Sequence, residues 1–90
     1  VTAAAARTAL TLLIRPGCGL CDDFVEAFAA ELPELFAQLA MADVDERAEW
    51  RKRFGLKIPV LLDPTGEAIC ETFLDTAKVR SRFVQHDPAA

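Results

Sequence analysis

Apolar residues are distributed along the chain in short runs and in helical stripes, and the alternation between the two sets the element order. Leu10-Thr-Leu-Leu-Ile14 is short, apolar and closed by Pro16-Gly17. It reads as a strand buried on both faces. Cys21, Phe24, Val25, Phe28 and Leu32 then recur at helical spacing, with Asp22, Asp23 and Glu26 on the other side. Pro33 predicts an end to that helix near Glu31 or Leu32. Leu39 to Val44 reads as a second strand. Asp45 is placed to cap the next helix, which carries Trp50 and Phe54 one turn apart. Gly55 falls where a left-handed C-terminal residue is expected. Ile58 to Leu62 predicts a third strand, Asp63-Pro-Thr-Gly66 a turn, and Ala68 to Phe73 a fourth strand, so the last two form a hairpin. Asp75 or Thr76 can cap a last helix in which Val79 and Phe83 share a face, with Asp87-Pro88 ending it.

The order is strand, helix, strand, helix, strand, strand, helix. It predicts an α/β domain with a central four-stranded mixed sheet flanked by helices. The chain has 90 residues, enough for one domain, expected over residues 7–87. Residues 1–6, rich in alanine, are expected to form a disordered tail. They have neither a basic n-region nor a long apolar segment, so no secretory signal is expected. No apolar run approaches the roughly 18 residues of a spanning helix, so no membrane partner is expected.

The formal net charge of −4 argues against nucleic acid, whose binding needs a basic surface. Arg47, Arg51, Lys52 and Arg53 cluster, but Asp43, Asp45, Glu46 and Glu49 are interleaved with them. That pattern describes a solvated helix face with internal ion pairs.

The cysteines carry the candidate chemistry. There are three, Cys18, Cys21 and Cys70. An odd number does not suit a structural disulfide framework. It suits a reducing compartment, so a cytoplasmic location is expected. Cys18-x-x-Cys21 stands where a strand hands over to a helix. One helical turn brings the two sulfurs within the narrow geometry of a disulfide. The first cysteine also faces unpaired N–H groups and the positive end of the helix dipole, which favour the attacking thiolate. Asp22 and Asp23 oppose that effect, and Arg15 offsets them if its side chain turns toward the site. Cys18 is therefore the candidate nucleophile and Cys21 the resolving thiol. Gly19 and Leu20 shape the turn, and Leu20 offers an apolar docking point.

These residues resemble a known family. Strand one followed by Pro16-Gly-Cys-Gly-Leu-Cys21 and a helix is similar to the active-site segment of glutaredoxins and thioredoxins. Phe54-Gly-Leu-Lys-Ile-Pro-Val-Leu-Leu62 resembles the segment entering the third strand of those proteins. The resemblance implies a thioredoxin fold, a cis peptide bond before Pro59, and substrate binding by Pro59 and by the backbone of Ile58. The short chain is most similar to the small glutaredoxin-like proteins of bacteria. There are departures. Gly17 stands where thioredoxins carry Trp, and Gly-Leu stands between the cysteines in place of Gly-Pro. Thr72-Phe-Leu-Asp-Thr76 replaces the Gly-Gly turn and Asp with which glutaredoxins hold the glutathione carboxylate, although Asp75 and Thr76 still offer a helix N-terminus to an anion. Leu20 replaces the tyrosine common beside glutaredoxin cysteines.

The resulting expectation is a monomeric thiol–disulfide oxidoreductase with no bound cofactor and no metal. Its substrates are protein or small-molecule disulfides, and glutathione or a reductase supplies electrons. Two alternatives differ in class. One is a non-catalytic binding module on the same fold. The other is a glutathione-dependent iron–sulfur site shared between two chains. A zinc site from Cys18, Cys21, Cys70 and His86 has spacing unlike known zinc motifs. Cys70 reads as a buried core thiol and His86 as a solvated histidine near a helix end.

Overall fold

Leu10, Leu12 and Leu13 leave the first strand no face for water, which places it inside the sheet. In the computed structural model, which describes residues 10–84, all three are fully buried. Strand β1 (Leu10–Ile14) pairs in parallel with β2 (Leu39–Asp43) and antiparallel with β3 (Val60–Leu62), and β3 pairs antiparallel with β4 (Ala68–Glu71). The sheet order is β2-β1-β3-β4. This is the mixed four-stranded sheet anticipated from the element order, in the arrangement of a thioredoxin fold.

Alternation along the inner strands divides the core in two. Leu10, Leu12 and Leu61 face Phe24 and Phe28 of helix α1 (Gly19–Glu31) and Val79 of the last helix. Leu13, Val60 and Leu62 face Val44 and Phe54 on the other side. Helix α1 ends as its sequence dictates. The Leu32 N–H still reaches the Phe28 carbonyl at 2.8 Å, and Pro33 then opens α2 (Pro33–Phe36), a single turn the apolar pattern did not announce. Phe28 lies between Phe24 and Phe36, with ring centroids 6.2 Å away on each side.

Beyond β2 the chain departs from expectation. Asp45 does not cap helix α3 (Ala48–Phe54). A 3₁₀ turn, Val44–Glu46, intervenes because Val44 is drawn into the core, and Asp43 rather than Asp45 caps it by accepting the Asp45 N–H at 2.8 Å. Gly55 is also right-handed, with φ −55°, so left-handed geometry is not the reason for a glycine there. The reason is close approach: a Cβ at Gly55 would lie 2.5 Å from the Arg51 carbonyl oxygen.

The hairpin turn at Asp63–Gly66 is present, with Gly66 at φ 92° and its N–H donating to the Asp63 carbonyl at 2.9 Å. Strand β4 stops two residues before the expected Phe73. Thr72 takes φ 70° there, which turns the chain out of the ladder and leaves Phe73 70% exposed. Helix α4 (Thr76–Val84) follows, and Asp75 accepts the Lys78 N–H at its start at 3.1 Å. The tail at 1–6, His86, and the helix end at Asp87-Pro88 lie outside the described residues, as does the side chain of Phe83.

Candidate functional site

Strand β1 delivers the chain to the Cys18–Cys21 turn. Arg15 and Pro16 follow it, Gly17 turns with φ 77°, and Cys18 then sits in extended backbone as the N-cap of α1. Its sulfur serves as the capping acceptor. The Cys21 N–H donates to Cys18 Sγ at 3.1 Å, satisfying one of the orphan donors of the first turn. Cys18 is half-exposed, whereas Cys21, one turn on, is 3% exposed. Gly19 is the first helical residue, and Leu20 is 44% exposed beside the capping thiol.

The two thiols therefore have different surroundings. Burial pushes the Cys21 thiol up to about 11, and its hydrogen bond to Cys18 adds to the rise. At neutral pH Cys21 stays protonated and donates to its neighbour.

The second segment singled out in the sequence arrives at the same end of the sheet. Leu13 pairs with Val60 in the antiparallel β1–β3 ladder, so Pro59 occupies the register position next to the exit of β1 toward Cys18. The Ile58–Pro59 bond is cis, as the resemblance implied; Pro59 is fully buried and Ile58 half-buried. Thr72 ties this segment down. Its N–H donates to the Pro59 carbonyl at 2.7 Å and its hydroxyl to the Lys57 carbonyl at 3.1 Å. No sequence signal marked Thr72, since a β-branched residue is an improbable occupant of positive φ.

Two expectations about charge change. Arg15 turns to Asp45, giving ion-pair contacts of 2.9 and 3.0 Å, and donates to the Gly55 carbonyl at 3.1 Å. It is therefore engaged rather than free to offset Asp22 and Asp23. The N-terminus of α4 is likewise filled, because the Asp75 carboxylate takes the Lys78 N–H that an incoming anion would use. Cys70 lies buried in β4 opposite Leu61. Its thiol is pushed up by burial, and it donates weakly to the Asp75 carbonyl at 3.7 Å. It takes no part in the Cys18–Cys21 turn. All three cysteines are free thiols. Among the described residues no three metal-ligating side chains converge, and no helix is long and apolar enough to cross a membrane.

Comparison with known proteins agrees with this geometry. An X-ray structure of a protein from X. campestris is similar at 32% identity and a TM-score of 0.62, covering 88% of this chain and 99% of that one. A solution structure of protein Ne2328 from Nitrosomonas europaea shares the fold at 20% identity and a TM-score of 0.70, covering 81% and 87% of the two chains. No curated protein matches the chain. The profile of the glutaredoxin-like domain (DUF836) matches residues 9–83, from the start of β1 into α4, and the chain belongs to that family.

Proposed function

We propose that the protein is a thiol–disulfide oxidoreductase in which Cys18 attacks and Cys21 resolves. One observation carries the reading: a half-exposed thiol caps a helix, its sulfur accepting the backbone N–H of Cys21, whose own thiol is buried one turn later. Cys18 as thiolate attacks one sulfur of a substrate disulfide. A Cys18–substrate disulfide forms, and the other substrate thiolate leaves. Cys21 then loses its proton and attacks Cys18 Sγ, which closes the Cys18–Cys21 disulfide and releases the second substrate thiolate. The substrate gains two electrons and the protein loses two. Two external thiols, from glutathione or a dithiol reductase, return them, and the cycle uses no bound cofactor.

The asymmetry between the cysteines suits this order. Two causes of the raised Cys21 value are its hydrogen bond to Cys18 and the charge of Cys18. Both vanish once Cys18 is bonded to substrate, so the resolving thiol becomes easier to ionise when it is needed. Exposed Leu20 and half-buried Ile58, which precedes the buried Pro59, line the approach for substrate. The Asp75 carboxylate at the α4 N-terminus, together with the absent glycine pair, favours a protein or small disulfide over glutathione as the bound substrate.

The test is a pair of variants in an insulin- or mixed-disulfide reduction assay. Cys18→Ser abolishes turnover. Cys21→Ser accumulates a covalent mixed disulfide at Cys18, read by mass spectrometry. Turnover that survives Cys18→Ser rejects the mechanism, and an unreactive Cys18 in a folded protein moves the assignment to a non-catalytic binding module.

A further inference from the structure

Arg15 stands three residues before Cys18, and its guanidinium engages two partners across the sheet end. Nε and Nη2 donate to the two carboxylate oxygens of Asp45, and Nη1 donates to the Gly55 carbonyl. We propose that Asp45 is a positioning residue that sets the reactivity of Cys18 by holding Arg15 in a neutral, bidentate pair. The inference rests on Cys18 being the attacking thiol.

The geometry carries the argument. A fork bonded to both carboxylate oxygens has one orientation, and the third bond to Gly55 fixes it further. So held, Arg15 and Asp45 sum to zero charge beside the redox turn. Release of Arg15 would leave a full positive charge three residues from the thiol, added to the positive end of α1. Asp22 on α1, Asp43 at the end of β2 and Arg51 on α3 supply the neighbouring charges, and Cys21, protonated at neutral pH, adds none. The ionisation behaviour agrees. Arg15 is held above its ordinary value first by the Asp45 hydrogen bond, against some desolvation, with Asp45, Asp43 and Cys18 charges adding to it. Asp45 is held low first by its bond to Arg15, against some desolvation, with the charges of Arg15 and Arg51 adding.

Dependence of the effect on Arg15 separates this role from a structural one. A lost structural contact loosens the turn and speeds alkylation of the part-buried Cys18 whether or not Arg15 is present; a lost restraint on Arg15 speeds it only while Arg15 is there. The experiment measures alkylation of Cys18 by iodoacetamide in the full chain at pH 7 and low salt, with the modified residue mapped by mass spectrometry. Asp45→Asn is expected to react about threefold faster than the parent, the size expected of one unit charge acting on a half-exposed thiolate. Asp45→Glu restores the carboxylate and stays within about twofold of the parent on the same reasoning. Arg15→Gln reacts more slowly, because Asp45 is then an unpaired anion. Adding Asp45→Asn to Arg15→Gln only returns that loss and does not exceed the parent. Should Asp45→Asn fail to fold, Asp45→Ser makes the same charge change. A folded Asp45→Asn that reacts at the parent rate or slower overturns the proposal, as does a double variant faster than the parent. Alkylation needs no disulfide exchange, so a protein that never exchanged disulfides would still give a clear answer on Asp45.

Discussion

Asp63 is the group whose loss the structure predicts most sharply. The residue is 8% exposed at the end of β3. Its Oδ1 accepts the Thr65 N–H at 2.8 Å, the Thr65 hydroxyl at 2.6 Å and the Glu67 N–H at 3.0 Å, while Oδ2 accepts from the Arg82 guanidinium of α4. One carboxylate thus closes the β3–β4 turn and fastens the last helix to it. Asp63→Asn keeps Oδ1 as an acceptor but turns an N–H toward Arg82, leaving a cation half-buried without its partner. Breaking a fully buried pair costs about 3 to 5 kcal/mol, and the Arg82 side chain is 34% exposed and partly screened, so about 2 kcal/mol is expected. That corresponds to a fall in melting temperature of about 10 °C for a domain of this size. Burial opposes the Asp63 charge, yet the Thr65 and Glu67 bonds and the Arg82 charge outweigh it and hold the carboxyl below the usual range. A depressed value means the stabilisation is fully present above the unfolded carboxyl pKa of about 3.9 and is lost as pH falls through the lower folded value. Urea unfolding followed by fluorescence of Trp50, the one tryptophan, measures the difference at pH 7 and pH 3. The difference should be about 2 kcal/mol at pH 7 and smaller at pH 3. A variant within about 0.5 kcal/mol of the parent at pH 7, or an equal loss at both pH values, would refute the reasoning.

Other perturbations follow from single contacts. Gly55→Ala forces the Arg51 carbonyl or the end of α3 to move and should cost about 1 to 3 kcal/mol in urea unfolding, in the range of overpacked sites. Thr72→Val keeps the β-branch at positive φ and removes the hydroxyl bond to Lys57, for a loss of about 1 kcal/mol. Thr72→Gly loses the same bond but relieves the backbone, so it should be the more stable of the two; the reverse order in parallel melts would show that φ strain is not at issue. Cys21 alkylation in the parent should stay slow through pH 8 and rise only as pH approaches the value of about 11 set by burial and Cys18; fast modification at pH 8 in folded protein would contradict that environment.

Much of this was legible in the sequence because it is local. Four apolar residues among five before Pro-Gly announce β1, Pro33 announces the end of α1, and Asp-Pro-Thr-Gly announces the hairpin turn. Cys18 and Cys21 could be assigned unequal surroundings from their places on one helical turn. The illegible parts are non-local or run against propensity. Asp45 reads as a helix cap until Arg15, thirty residues earlier, claims both its oxygens. Asp63 reads as a turn residue, and the guanidinium that makes it a clamp lies nineteen positions on. Gly55 carried a true signal with the wrong cause, because close approach and left-handed geometry both demand glycine. Thr72 carried no signal, since propensity disfavours the conformation that its two hydrogen bonds hold in place.

The two carboxylate–arginine pairs illustrate how exposure divides stability from reactivity. Pro59 precedes β3 at the Cys18 end of the sheet and Asp63 follows it at the other, so the Arg15–Asp45 and Asp63–Arg82 pairs mark opposite ends of the sheet. In the first pair the side chains are 37% and 40% exposed; in the second the carboxylate is 7% exposed. Exposed pairs contribute little to folding, because water solvates the separated charges nearly as well. Their field still acts on the nearby Cys18, where a modest change in charge alters a rate. A buried carboxylate has no such solvent to fall back on, and its loss registers in the folding equilibrium. Substitution at Asp45 should therefore alter Cys18 while scarcely moving the melt, and substitution at Asp63 should move the melt while leaving Cys18 unchanged. The two effects separate because burial, rather than the chemistry of the pair, decides where the free energy is felt.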